Sequence, residues 1–158
     1  MKSVKIRDTI IGNGAKIAIQ SMLNVPTTDT GAAIDCILRL ADEGCDIIRL
    51  AVPDAAAARA MKEITAASPI PVVADIHFDY RLALACIDNG VDKIRINPGN
   101  LGGADKAAAV AKAANAAKVP IRIGINGGSL EKGLLERCGG DLALAMVESA
   151  QGHIDILN

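Results

Sequence analysis

Along this chain, short stretches of alternating apolar and polar residues recur between longer stretches in which apolar residues return every three or four positions. The first pattern is that of a strand with two unlike faces, the second that of an amphipathic helix. Residues 4–11 alternate and read as a leading hairpin or cap. Ile17-Ala18-Ile19-Gln20-Ser21-Met22 is the first strand of the main series. Ile34, Ile37, Leu38 and Ala41 follow at helical spacing, between N-cap candidates in Thr27-Thr28-Asp29-Thr30 and a closing Gly44. A second strand runs over 46–52, and Pro53-Asp54 opens an alanine-rich helix that Pro69 and Pro71 stop. The third strand is 72–77. Asp79 caps a helix through Leu82, Cys86 and Ile87 that ends at Asn89-Gly90. The fourth strand, Lys93-Ile94-Arg95-Ile96-Asn97, stops at the turn residues Pro98-Gly99-Asn100. A helix over about 104–118, a fifth strand over 121–126, a glycine-rich loop at 127–129 and a last helix after Gly139-Gly140-Asp141 complete the series. His153, in that last helix, reads as a surface residue.

Regular β-α alternation predicts a parallel sheet with helices outside it. A repeat sharpens this. Gly44-Cys45-Asp46-Ile47-Ile48-Arg49-Leu50 returns 46 residues later as Gly90-Val91-Asp92-Lys93-Ile94-Arg95-Ile96, spanning two βα units. The two arginine-bearing strands are therefore alternate strands, which in a (βα)₈ barrel point side chains into the same layers. A doubly wound sheet is the competing architecture, but its strands are covered on both faces and read as continuous apolar runs. Here Gln20, Arg49, Asp75, His77, Arg95, Asn97, Arg122 and Asn126 all fall on one strand parity. A polar inner face fits a barrel mouth. The expected fold is α/β, a TIM (βα)₈-type barrel truncated to about five βα units.

Composition narrows the function. The chain has 158 residues, half of them hydrophobic, yet its aromatics are Phe78 and Tyr80 alone. The core must be built of Ala, Ile, Leu and Val. Surfaces that stack bases are excluded, and a net charge of −1 gives no field that draws nucleic acid. Met1-Lys2-Ser3 opens no signal peptide, and no apolar run is long enough to span a membrane. Cys36, Cys45, Cys86 and Cys138 form no C-x-x-C pair, so they read as buried or half-buried thiols in a reducing cytoplasm, with no metal site.

The inner-face residues carry the candidate chemistry. Arg49, Arg95 and Arg122 face one carboxylate of the same parity, Asp75. Buried charge without a partner is costly, so the surplus asks for a bound anion, and guanidinium forks match phosphate or diphosphate. Structural ion pairs across the interior are the competing account. Asn97 and Asn126 lie at strand C-termini, where barrel active sites sit. Asp75 and His77 point inward together, either to position a hydroxyl and move a proton or to fix the arginines. Backbone N–H groups of Gly127-Gly128-Ser129 or of Gly102-Gly103 could meet a phosphate, although a plain loop accounts for either.

Five strings resemble one family. They are Ala18-Ile19-Gln20-Ser21-Met22, the nine residues from Val73 to Arg81, Arg95-Ile96-Asn97-Pro98-Gly99-Asn100, the seven from Pro120 to Asn126, and Gly128-Ser129-Leu130-Glu131-Lys132. Each is similar to the corresponding stretch of the 4-hydroxy-3-methylbut-2-enyl diphosphate synthases of the non-mevalonate isoprenoid pathway. The resemblance implies reductive ring opening and dehydration of 2-C-methyl-D-erythritol 2,4-cyclodiphosphate, with electrons from flavodoxin or ferredoxin through a [4Fe-4S] cluster. It implies a cytoplasmic enzyme, homodimeric at full length. It assigns diphosphate binding to Arg49, Arg95, Asn97, Arg122 and Asn126 and places Asp75 and His77 near the substrate; Gln20, on the same strand parity, joins them as a substrate-binding candidate. It also implies that the acid/base glutamate and the cluster ligands come from segments beyond Asn158. The chain then reads as the N-terminal part of a barrel substrate-binding domain, inactive by itself and holding no catalytic or metal residue. Two alternatives stand beside this reading: a non-redox barrel enzyme for a phosphorylated or pterin-like substrate, and a non-catalytic half-barrel that assembles with a partner.

Overall fold

The computed structural model describes residues 2–97 and 100–157. It opens with an antiparallel hairpin, β1 (Ser3–Ile6) and β2 (Thr9–Gly12). Then β3 (Gln20–Met22), β4 (Ile47–Ala51), β5 (Val72–Ile76), β6 (Lys93–Ile96) and β7 (Ile121–Ile123) form one parallel sheet. Between them run α1 (Thr30–Asp42), α2 (Ala55–Ala67), α3 (Tyr80–Asp88) and α4 (Ala104–Ala117). After a 3₁₀ turn at Gly127–Ser129 come a short α5 (Leu134–Arg137) and α6 (Leu142–Leu157). The strand order is β3-β4-β5-β6-β7. Each strand pairs with the next in sequence. A doubly wound sheet reverses direction at a switch point; this sheet winds one way only, as a barrel does. The turn expected at Pro98-Gly99-Asn100 falls partly on Pro98 and Gly99, which lie outside the described residues.

Local chemistry explains the elements. Side chains of Asp29, Asp54 and Asp79 accept hydrogen bonds from the backbone N–H groups of Ala32, Ala57 and Arg81, so three helices start on an aspartate cap. Gly44 and Gly90 close α1 and α3 at positive φ, with the next residue's N–H returning to Leu40 and Cys86. Lys118 takes the same left-handed position after α4 without being glycine. Thr27 is not a cap; its hydroxyl donates to the Ala51 carbonyl at 2.6 Å and ties the loop to β4.

The repeated aspartates lock strand register. Asp46 accepts the N–H of Ile19 at 2.8 Å, and Asp92 accepts that of Val72 at 2.8 Å. Each carboxylate thus holds the start of the preceding strand. The first strand is shorter than the alternation of 17–22 suggests, because the carbonyl of Ile19 accepts from both Asp46 and Ile47 and the ladder begins only there. Ile17 consequently stays exposed.

The sheet has two faces, as the parity predicts. Ile48, Leu50, Val72, Ala74, Ile76, Ile94 and Ile96 point outward and pack against the helices. Nearly all of this core is aliphatic, in line with the scarcity of aromatic residues. On the inner face, Ile47 and Val73 form an apolar floor with Ile6 from the hairpin and Ala18. Above that floor the inner face turns polar.

Candidate functional site

Asp75 is the centre of the polar face. It is fully buried, on the middle strand of the sheet. Its Oδ2 accepts from Arg49 Nε at 3.0 Å and Nη2 at 2.5 Å, and its Oδ1 accepts from Arg95 Nη1 at 3.1 Å. His77 Nε2 lies 3.3 Å from the same Oδ2. One carboxylate therefore orients two guanidinium groups and an imidazole.

Register brings the two arginines together. Arg49 ladders with Val73 and Val73 with Lys93, whereas Asp75 ladders with Arg95 and Arg95 with Arg122. Arg49 and Arg95 are thus offset by two residues across two strands. A barrel with a shear of about one residue per strand requires that offset to keep alternate strands in one layer. The repeat inferred from sequence and the shared carboxylate agree on this geometry.

The other expected residues divide into two groups. Asn97 is buried just past the end of β6, and Asn126 is exposed just past β7, both at the C-terminal edge of the sheet. Arg122 is exposed on the inner side of β7, beside Arg95 in the ladder. These lie toward the same, C-terminal, end of the sheet as Asp75. Gln20 does not: it ladders with Ile47, at the N-terminal end of the same face.

Three residues escaped the sequence reading. Lys93 is buried at an inward position and adds a fourth cation to the face. Burial, then Arg122 and Arg49, hold its ammonium below the usual lysine range. The alternation of 93–97 already contained this signal. Gly124 lies two residues past Arg122, and the Arg95 guanidinium rests directly on it. A methyl group there would meet the guanidinium Cζ at 2.6 Å, well inside van der Waals contact. Glycine at that point is a matter of space, which a single sequence does not display.

The third is His153, which is buried rather than on the surface. Its Nε2 lies 2.8 Å from Glu131 Oε1, and Ser149 Oγ donates to the same oxygen at 3.1 Å. Ala145, Ser149 and His153 recur every four residues, and this buried stripe pins the segment after the 3₁₀ turn to α6. Spacing against Ala145 was the available clue.

Arg49, Lys93, Arg95 and Arg122 face one inner-side carboxylate among the described residues. Two of the four are held by Asp75 as the ion-pair account expects, and no inner-side carboxylate among the described residues is left for Arg122 and Lys93. The carboxylate aims the two forks, and the face carries more positive than negative charge. Among the described residues no group of three or more His, Cys, Asp or Glu side chains could hold a metal ion. Cys45, Cys86 and Cys138 are buried, and desolvation pushes the Cys86 thiol up to about 12. These thiols do not fit an iron-sulfur cluster. No described helix is long and apolar enough to cross a membrane.

Comparison with known proteins bears on this site. A family profile described as the GcpE TIM-barrel domain matches residues 1–158. The chain is 52% identical over 156 residues to a 4-hydroxy-3-methylbut-2-en-1-yl diphosphate synthase (flavodoxin) of Ruminiclostridium cellulolyticum, covering 99% of this chain and 44% of the relative. It is 51% identical to the enzyme of that name from Geobacter sulfurreducens, with the same coverage. For the one from Maridesulfovibrio salexigens the identity is 54%, over 96% of this chain and 42% of the relative. The chain thus spans less than half the length of these curated relatives. Among solved structures, dihydropteroate synthase from Stenotrophomonas maltophilia superposes with a TM-score of 0.61 at 18% identity, covering 97% of this chain and 61% of the other. The Xanthomonas albilineans dihydropteroate synthase gives 0.62 at 14%, covering 98% and 63%. At such identities these two speak for the barrel fold alone.

Proposed function

The chain belongs to the GcpE TIM-barrel family, and from that premise we propose that it is the substrate-holding part of a 4-hydroxy-3-methylbut-2-enyl diphosphate synthase. Its ligand is the diphosphate bridge of 2-C-methyl-D-erythritol 2,4-cyclodiphosphate, which the whole enzyme opens reductively and dehydrates. The observation that carries this reading is the pair of guanidinium groups aimed by one buried carboxylate, Arg49 and Arg95 on Asp75, with Arg122 beside them. Such forks bind phosphoryl oxygens in a fixed plane. Asn97 and Asn126, at the rim, donate amide N–H groups to remaining phosphoryl oxygens. His77, exposed at the mouth and held by Asp75, orients the ligand's hydroxyl end.

In this reading the residues of this chain bind and orient, and the cluster is held elsewhere in the full-length enzyme. The described cysteines do not fit it, so no electron-transfer step is assigned to them. Electrons come from flavodoxin, for which the relatives are named, or from ferredoxin. A cytoplasmic location and a full-length homodimer belong to the same reading.

Calorimetric titration of inorganic diphosphate into the 158-residue chain tests it. Saturable binding is expected, weakened about tenfold to a hundredfold by Arg95→Met, since a hydrogen bond to a charged group contributes about 1.5–3 kcal/mol. Absence of saturation, or equal affinity in Arg95→Met, refutes it.

A further inference from the structure

We propose that Lys93 is an additional anion-binding residue of this face, reaching up from beneath Arg95 to a phosphoryl oxygen of the bound ligand. The inference rests on the diphosphate reading above and extends it to a residue that the resemblance does not single out.

The repeat supplies the first observation. Lys93 stands where the equivalent strand carries Ile47. Ile47 is part of the apolar floor with Ile6 and Val73, and Val73 is the direct ladder partner of Lys93. An aliphatic residue is therefore the natural occupant of this layer, and the chain places a lysine there instead. The second observation is burial without compensation. Lys93 is 9% exposed. The one inner-face carboxylate among the described residues, Asp75, is engaged by Arg49, Arg95 and His77. The charges acting on Lys93 are the cations Arg122 and Arg49, which together with burial depress its proton affinity. A buried ammonium facing guanidinium groups is unfavourable in the empty site and becomes favourable once a polyanion sits among them. A lysine stem can lie along the apolar floor while its head turns upward to the polar layer.

The test is to titrate inorganic diphosphate into the full 158-residue chain and into its Lys93→Met, Lys93→Arg and Arg95→Met variants, with a thermal melt of each. Lys93→Met is expected to lose about tenfold in affinity, to show a shallower salt dependence, and to melt a few degrees higher than the parent. Lys93→Arg keeps most of the affinity. The opposite signs of the two effects distinguish a ligand contact from a structural lysine, whose removal lowers both. The proposal is overturned if Lys93→Met binds diphosphate as the parent does, or binds less and also melts lower. If Arg95→Met loses binding while Lys93→Met does not, the diphosphate reading stands and this inference alone falls. If the parent chain binds no diphosphate, both fall together.

Discussion

Replacing Gly124 by alanine is a one-methyl perturbation with a calculable consequence. The new methyl would lie 2.6 Å from the Arg95 guanidinium carbon, where ordinary contact begins near 3.4 Å. The guanidinium must withdraw by roughly 1 Å, since atoms in a packed interior do not overlap. It has little freedom to do so: Arg95 is 8% exposed and donates to Asp75 at 3.1 Å. Withdrawal stretches that bond beyond hydrogen-bond range and leaves the buried carboxylate short of one donor, at about 1.5–3 kcal/mol. Alanine returns part of this, about 0.4–1 kcal/mol, by restricting the unfolded chain. Gly124 does not have the positive φ that would penalise alanine. The net loss is about 1–2 kcal/mol, a fall in Tm of about 2–8 °C for a chain of this size. The same displacement pulls the fork away from its anion, so diphosphate affinity drops about tenfold to a hundredfold. Thermal denaturation and calorimetric titration read the two effects. Gly152→Ala is the control. Gly152 sits inside α6 where a methyl meets nothing within 4 Å, and alanine there should raise stability by up to about 1 kcal/mol. Gly124→Ala with the parent's melting temperature and affinity refutes the account of why Arg95 lies where it does.

Asp75→Asn keeps the shape of the side chain but removes the charge that two arginines share; chemical denaturation should show a loss of about 3–5 kcal/mol. Lys118→Gly relieves a left-handed residue at the end of α4 and should raise the urea midpoint by an amount equivalent to about 1 kcal/mol. The depressed Lys93 ammonium makes a pH prediction. A base whose folded value is lowered is protonated more readily in the unfolded chain, so stability rises with pH through the window below 10.5, the ordinary lysine value. The Tm gap between Lys93→Met and the parent should therefore be widest at neutral pH and close as pH climbs toward that value. A gap that widens with pH would sink this assignment of sign.

Which parts of this were legible beforehand follows from what each feature depends on. The strands and helices were visible because they rest on local periodicity and on caps such as Asp29, Asp54 and Asp79, whose partners lie within three residues. The inner face was visible because the side-chain period of a strand is two, so Arg49, Asp75 and Arg95 declare a common side. The start of β3 was misjudged because it is decided by Asp46, a residue far along the chain whose backbone and side chain both engage Ile19. The burial of His153 was missed for the same reason, since its partner is Glu131 in another segment. Gly124 is the extreme case. Its requirement comes from the position of one guanidinium on the neighbouring strand, and nothing in its own sequence neighbourhood encodes that.

In the proposed reading Asp75 is where fold and function meet, and this sets how the face can change. The carboxylate is fully buried, so its arginines stabilise the sheet whether or not a ligand is bound. Arg122 and Lys93 gain nothing comparable from Asp75. A fold selected for stability alone would retain Arg49, Asp75 and Arg95 and replace Lys93 with an aliphatic residue, as the equivalent strand does with Ile47. Retaining the extra cations makes sense if the ligand supplies the missing negative charge. The empty site is then the strained state, and binding relieves it. Diphosphate at saturating concentration should accordingly raise the Tm of the parent more than that of Lys93→Met, because the methionine variant has less repulsion to relieve. Equal increments would mean that Lys93 contributes to neither the strain nor its relief.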